Sequence, residues 1–124
     1  MRKLLIVDDS NIIRHKIARA LGEYGLQVVG LASNGQEAIA QFRSTRHDVV
    51  TMDLTMPEMD GIECIRQIRA IDPAVKILVV SALADKATAI QALMEGAQGF
   101  LGKPFSEAEL TEAIGELLTE SDHG

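Results

Sequence analysis

The feature that most constrains the fold is a regular alternation of short apolar runs with longer segments of helical period. The runs are rich in leucine and β-branched residues, and several are apolar throughout, which is typical of strands buried on both faces of a sheet. They span residues 4–7, 27–31, 48–52, 76–80 and 99–101. Five strand–helix units are too few for an eight-stranded barrel, so the pattern predicts an α/β fold with an open, doubly wound parallel sheet.

The segments between the runs carry apolar residues spaced as on one face of a helix. The predicted faces consist of Ile13, Ile17, Ala20, Leu21 and Tyr24; Ala38, Ile39 and Phe42; Ile62, Ile65 and Ile68; Ile90, Leu93, Met94 and Ala97; and Leu110, Ala113, Ile114, Leu117 and Leu118. Ser106 followed by Glu109 predicts a capping box for the last helix. The length of 124 residues fits one domain, which we expect over residues 1–120, with a polar tail at 121–124.

Composition limits the range of functions. The chain has 12 basic and 18 acidic residues, a net charge of −6 that opposes direct nucleic-acid binding. No apolar run approaches the ~20 residues of a membrane span, and the first one stops short of a signal peptide. Cys64, the single cysteine, excludes an internal disulfide and is expected to pack as a small apolar residue. We therefore expect a cytoplasmic monomer that does not insert into membranes.

Polar side chains follow the strand-like runs at the points where four of them end. Asp8 and Asp9 follow the first run, Asp53 the third, Ser81 the fourth and Lys103 the fifth. In a parallel sheet these are all carboxyl ends, so the side chains are expected at one edge of the molecule. That edge is where open α/β sheets bind ligands.

Three aspartates at one edge require a cation among them. At ~5 Å and an effective dielectric constant near 20, each ionised pair repels by roughly 3 kcal/mol. Lys103 supplies one positive charge, and oxygen ligands without nearby His or Cys favour Mg²⁺, or Mn²⁺ in its place, over Zn²⁺. The hydroxyl of Ser81 and the ammonium of Lys103 suit phosphoryl oxygens. The residues thus predict phosphoryl chemistry with one aspartate as the nucleophile.

Four motifs give the chain a resemblance to the receiver domains of two-component response regulators over about residues 3–119. They are IVDDS at 6–10, MDLTMPEMDG at 52–61, VSA at 80–82 and KPF at 103–105, all in the order and spacing of that family. The resemblance implies the flavodoxin-like strand order 2-1-3-4-5. In that order the first and third strands are neighbours, so Asp9 and Asp53 are able to share an ion.

The same resemblance implies a role for each polar residue. Asp53 would accept a phosphoryl group from the histidine of a sensor kinase. The metal ion would be held by Asp8, Asp9, Asp53 and the backbone carbonyl of Thr55.

Further roles follow from the resemblance for residues around the phosphoryl group. Ser81 would donate a hydrogen bond to it, and Lys103, preceding a cis proline, would pair with it. Phe100 matches the family's aromatic switch residue. Thr55 and Leu83 occupy positions similar to those that tune the lifetime of the phosphoryl group.

The function implied is that of a single-domain response regulator of the chemotaxis type, not a turnover enzyme. Phosphorylation would alter a surface formed by residues 85–96, 99–103 and 106–120, which would bind a flagellar switch component or another effector. Two alternatives stay open. The chain is a phosphorelay intermediate that passes its phosphoryl group to a histidine phosphotransfer protein, or it is a receiver domain taken from a longer regulator.

Two rival functions fit the predicted fold less well. A flavin or nucleotide binder needs a phosphate-binding loop, and neither GxxxxGK[ST] nor GxGxxG occurs in the chain. A metal-dependent phosphatase resembling this arrangement would carry an acid/base aspartate two residues after the nucleophile, where this chain has Thr55.

Overall fold

The computed structural model describes residues 1–56, 59–82 and 85–123, with the side chains of 120–123 left out of the description. Five strands alternate with five helices, as the sequence pattern predicts. The strands are β1 (Lys3–Val7), β2 (Gln27–Ala32), β3 (Val49–Met52), β4 (Lys76–Ser81) and β5 (Gly99–Gly102). The helices are α1 (Asn11–Tyr24), α2 (Gly35–Ser44), α3 (Gly61–Ile71), α4 (Lys86–Glu95) and α5 (Glu107–His123).

All strand pairs in the sheet are parallel, and the strand order is β2-β1-β3-β4-β5. The predicted fold class and strand order are therefore confirmed. Because β1 and β3 are neighbours at the point where the strand order reverses, their carboxyl ends open onto one crevice of the sheet.

The sheet is buried on both faces, and successive strand residues alternate between two core layers. Leu5 and Val7 face the layer covered by α2 and α3, whereas Leu4 and Ile6 face the layer covered by α1 and α5. All four of these side chains are at most 1% exposed. The continuous apolar character of the runs follows from this double burial. Packing on both faces fixes β1 and β3, and with them the positions of the residues that follow these strands.

Side-chain caps fix where the helices begin. The N-caps of α1, α2, α3 and α4 are Ser10, Asn34, Asp60 and Asp85, each of which accepts a hydrogen bond from a backbone N–H in the first turn. At α5 the predicted capping box is present: Ser106 and Glu109 exchange hydrogen bonds of 2.9 and 3.1 Å. The first turns of the helices are thereby set relative to the strand ends.

Three sequence expectations are wrong in detail. Helix α5 continues to His123, so residues 121–123 of the predicted polar tail at 121–124 are helical, and Gly124 lies outside the described residues. Tyr24 is 46% exposed at the end of α1. Of the apolar face predicted for α4, Ala97 is buried, but Ile90, Leu93 and Met94 are 46%, 47% and 82% exposed, because the helix packs through the smaller Ala92. None of the helices in the described residues is long and apolar enough to cross a membrane.

His47 is a buried polar residue in the connection between α2 and β3. Its side chain is stacked on Phe42 with ring centroids 5.5 Å apart. Neither ring nitrogen has a hydrogen-bond partner among the described residues. Burial lowers the pKa of His47 and Lys3 reinforces this effect, whereas Asp48 and the Thr45 backbone oppose it.

We predict that replacing His47 by Phe reduces the loss of stability on acidification. As pH falls below about 6.5, the unfolded chain binds a proton at position 47 that the folded protein, with its lowered pKa, does not bind. The free energy of unfolding of the wild type therefore declines in that range, and His47→Phe removes this contribution. Urea unfolding of both proteins at pH 7 and pH 5 measures the difference.

His15, exposed on α1, provides the control. His15→Gln removes an imidazole without disturbing the core, so its stability should follow the pH dependence of the wild type. Equal acid sensitivity of the wild type and His47→Phe would contradict the prediction.

Candidate functional site

The carboxyl edge of the sheet brings together the polar residues that the sequence singled out. Asp8 and Asp53 directly follow β1 and β3, Ser81 ends β4, and Lys103 follows β5. Backbone hydrogen bonds tie these positions to neighbouring strands. The Asp53 N–H donates to the Val7 carbonyl at 2.9 Å, and the Lys103 N–H donates to the Ser81 carbonyl at 2.9 Å. The functional side chains are thus carried by the sheet itself, on ordered backbone.

Three carboxylates form the centre of the site. One oxygen each of Asp8, Asp9 and Asp53 lies within 4.8 Å of the others. Asp8 and Asp53 are each 1% exposed, whereas Asp9 faces solvent. Lys103 reaches into the cluster, with its Nζ 2.7 Å from Asp8 Oδ2 and 3.8 Å from Asp53 Oδ2. Its single charge leaves the cluster with an excess of negative charge.

Burial and the excess of negative charge both affect the pKa of Asp53. Burial and the neighbouring Asp8 raise the pKa of Asp53 to about 6, although Lys103 and the Thr55 backbone N–H act in the opposite direction. The charged form of Asp53 is therefore costly among these neighbours. A cation bound between the carboxylates would stabilise that form.

The carboxylate of Asp8 is oriented by its own neighbours. Its Oδ1 accepts a hydrogen bond of 2.9 Å from the Ser10 N–H, so Oδ2 is the atom that meets Lys103. Arg14, one turn into α1, donates from Nη1 to the Asp8 carbonyl at 2.6 Å. Sequence reasoning did not identify Arg14. The available signal was its place on the first turns of the helix that follows Asp8-Asp9.

The donor set fits a hard divalent cation. All candidate ligand atoms in the cluster are carboxylate oxygens, the ligands that Mg²⁺ uses in proteins. Thr55 lies beside them: its N–H and hydroxyl are 3.3 and 3.5 Å from Asp53 Oδ1. A cation in this position would face both an ionised carboxylate and open solvent, which leaves room for water or a phosphoryl oxygen.

The remaining predicted residues surround the cluster at different depths. Ser81 is fully buried at the end of β4, and the Lys103–Pro104 peptide bond is cis, as the resemblance implied. Phe100 is half-buried and packs against the core layer covered by α2 and α3. Leu83 lies outside the described residues. The predicted aspartate, serine, threonine and lysine residues therefore share one edge of the sheet. Phe100 lies within β5, three residues before Lys103.

A groove of about 580 Å³ opens beside the carboxylates, between the beginnings of α3 and α4. Asp9, Thr55, Asp60 and Thr88 are among the residues that line it. Its position gives a small molecule or a partner's side chain access to the cluster from solvent.

Gly61, at the start of α3, allows the segment carrying Asp53 and Thr55 to lie against that helix. A Cβ atom on Gly61 would collide with the Asp53 carbonyl oxygen and would lie 2.6 Å from Leu54 Cα. The Gly61 N–H also donates to the Leu54 carbonyl at 3.0 Å. Sequence reasoning placed Gly61 within a motif but did not identify this close approach.

Comparison with known proteins gives a consistent result. The family model for the response regulator receiver domain matches residues 4–115. The chemotaxis protein CheY of Thermotoga maritima is 40% identical over 116 residues, covering 94% of this chain and 97% of that protein.

Solved structures of CheY and CheY-like proteins have the same fold as this chain. A chain of the CheX–CheY–BeF3–Mg²⁺ complex from Borrelia burgdorferi has a TM-score of 0.91 and 29% identity, covering 94% of this chain and 89% of that chain. A CheY-like response regulator receiver domain protein from Methanospirillum hungatei has a TM-score of 0.92 and 26% identity, covering 99% and 98% of the two chains.

We predict that Gly61→Ala displaces the segment that carries Asp53. The new methyl group meets backbone atoms, which cannot rotate away, so we expect a loss of about 1–3 kcal/mol of stability. We also expect weaker binding of a divalent cation. Urea unfolding and a cation titration followed by amide chemical shifts measure the two effects.

Gly22→Ala is the matched control. A Cβ atom at Gly22 in α1 would meet nothing within 4 Å, and alanine favours the helix, so stability should rise by about 0.5–1 kcal/mol. Cation binding by this variant should be unchanged. Unaltered stability and cation affinity in Gly61→Ala would show that the close approach is unimportant.

Proposed function

Because the chain belongs to the response regulator receiver domain family, we propose that it is a phosphorylation-controlled signalling protein whose acceptor is Asp53. The observation that carries the proposal is the cluster of Asp8, Asp9 and Asp53 with the Lys103 ammonium 2.7 Å from Asp8 and 3.8 Å from Asp53. A carboxylate in this setting is a nucleophile. The Lys103 ammonium is complementary to a negatively charged phosphoryl group, and the neighbouring carboxylates are complementary to a metal ion.

Asp8, Asp9 and Asp53, with the Thr55 carbonyl, would hold Mg²⁺, with Mn²⁺ as a substitute. The bound ion would neutralise negative charge on the carboxylates and on the phosphoryl oxygens. The oxygen-only donor set supports this assignment, and the name of the Borrelia complex contains Mg²⁺ together with BeF3, which resembles a phosphoryl group.

The reaction is a transfer from the phosphohistidine of a sensor kinase. An Asp53 carboxylate oxygen attacks phosphorus, and the bond between phosphorus and the imidazole nitrogen breaks. The electron pair of that bond leaves with the imidazole, which is already protonated or takes a proton from solvent. The groove beside Asp9 and Thr55 gives the donor a route to the acceptor.

Lys103 and Ser81 stabilise the product. In the unphosphorylated protein Lys103 is held mainly by Asp8, and a phosphoryl group on Asp53 offers it a second anionic partner. Ser81 supplies a hydroxyl at the end of β4, and its displacement toward the phosphoryl group allows Phe100 to turn inward. The half-buried position of Phe100 is consistent with such movement.

The output surface in this proposal is formed by α4, β5 and α5. A phosphoryl group adds about −1.5 to −2 charges, enough to bias an element with two accessible positions. The exposed side chains Ile90, Leu93 and Met94 on α4 provide an apolar patch for an effector. Similarity to CheY over nearly its full length supports an effector in chemotaxis, such as a component of the flagellar switch.

The proposal predicts that the wild type gains one phosphoryl group when incubated with a small-molecule phosphodonor and Mg²⁺, and that Asp53→Asn does not. The amide lacks the nucleophilic carboxylate, so the expected loss is complete. Intact mass spectrometry with acetyl phosphate and with phosphoramidate, each with Mg²⁺ or with a chelator, makes the measurement.

Asp60→Asn is the matched control for this experiment. Asp60 lines the same groove but caps α3, a role that asparagine also fills, so this variant should be phosphorylated like the wild type. Phosphorylation of Asp53→Asn to the wild-type level would refute the assignment of Asp53.

A second prediction concerns the output surface. Addition of beryllofluoride and Mg²⁺ should change the amide chemical shifts of α4, β5 and α5, including those of Ile90, Leu93 and Phe100. The amide shifts of α2, which follows β2 at the opposite edge of the sheet, should change less. Unchanged shifts in α4, β5 and α5 would remove the output surface from the proposal.

A further inference from the structure

Helix α4 is held to the rest of the protein by unusually few contacts. Ala92 is the one buried residue of its ten, and its larger apolar side chains face solvent. Its N-terminal turn is capped internally, because Thr88 donates to Asp85 from both its N–H and its hydroxyl. An element with so little buried surface is well suited to shift between two positions.

The neighbour of α4 is α3, and one ion pair joins the two helices. Arg66 donates to Glu95 from Nε and from Nη2, each at 3.0 Å, in a two-pronged arrangement. The hydrogen bonds from Arg66 lower the pKa of Glu95 below its usual value. Arg66 also contacts Glu63 within α3, so one guanidinium serves both an intrahelical and an interhelical carboxylate.

The backbone just beyond α4 is anchored independently of that ion pair. The side chain of Gln98 accepts from the Ile77 N–H at 2.7 Å, and the Gln98 N–H donates to the Ile77 carbonyl at 2.9 Å. Gly96 has a φ of +125° and leaves space for the side chain of Arg69. These bonds fix the approach to β5, three residues beyond α4, whereas Glu95 in the last turn of α4 is held to α3 by Arg66.

We infer that Arg66 and Glu95 form a latch that stabilises the unphosphorylated position of α4 and so tunes how strongly Asp53 is coupled to the output surface. The inference rests on the proposed function. Arg66 and Glu95 are positioning residues in it: they touch neither the phosphoryl group nor the metal ligands, and they act through α4.

Linkage gives the direction of the effect. If the latch is made in the unphosphorylated position only, breaking it raises the population of the other position. A phosphoryl analogue that favours that other position then binds more tightly, by the factor that the latch contributes. For an exposed ion pair we expect about a 2- to 5-fold change.

The test is the affinity of the full chain for beryllofluoride at saturating Mg²⁺, measured by isothermal titration. Arg66→Gln and Glu95→Gln should each bind about 2- to 5-fold more tightly than the wild type. Arg66→Lys keeps the charge but loses the two-pronged geometry, so its affinity should lie between that of the wild type and that of Arg66→Gln. At 1 M NaCl, where the Debye length is about 3 Å, the differences should shrink.

Glu63→Gln is the matched control. It removes a carboxylate from the same guanidinium but leaves the bond between α3 and α4, so its affinity should equal that of the wild type. Amide shifts supply a second readout. In Arg66→Gln with Mg²⁺ alone, the signals of α4 should move part of the way along the line toward their beryllofluoride-bound positions.

The outcomes distinguish a failure of the proposed function from a failure of the latch. A wild type that does not bind beryllofluoride overturns the proposed function, and the latch with it. If the wild type binds but Arg66→Gln and Glu95→Gln match it or bind more weakly, the latch alone is overturned. Equal tightening in Glu63→Gln would also overturn it, because that contact lies within α3.

Discussion

The mutual repulsion of three carboxylates at one edge of the sheet is the constraint on which the rest of the structure depends. Two of them are buried, so water screens them poorly, and burial together with the charge of Asp8 raises the pKa of Asp53 to about 6. Lys103 relieves part of this by reaching from the end of β5 across β4 and β3 to Asp8. The ion pair ties the edge of the sheet to its centre. The negative charge that Lys103 leaves uncompensated favours the binding of a further cation.

The sheet supports this arrangement, whereas α4 does not share its rigidity. Strands β1 and β3 are buried on both faces, and their ends are joined by the hydrogen bond from Asp53 to Val7. Helix α4 contributes one alanine to the core. The protein thus combines a fixed charged site with a neighbouring helix that rests on few contacts. In the proposed function, a change of charge at the site would move that helix without disturbing the core.

Sequence reasoning recovered the strands, their parallel arrangement and the residues at the carboxyl edge, because apolar runs and the polar residues that end them are local features. It failed for Ile90, Leu93 and Met94, since helical periodicity marks an apolar face without showing what covers it. The burial of His47 and the pairing of Arg66 with Glu95 were also not predictable. Each depends on how separate elements meet in space, and neither has a signature in the local sequence.

The exposed face of α4 and the charged site are linked by the shortness of the chain between them. Ser81 ends β4 and Asp85 caps α4, so three residues separate the buried hydroxyl from the N-cap of the helix. Any displacement of Ser81 toward a ligand on Asp53 must therefore be absorbed by that connection or passed to α4. Because α4 buries so little, moving it costs less than distorting a strand packed on both faces. In the proposed function, the exposed apolar side chains of α4 are the part of the surface that such a movement would present differently to a partner.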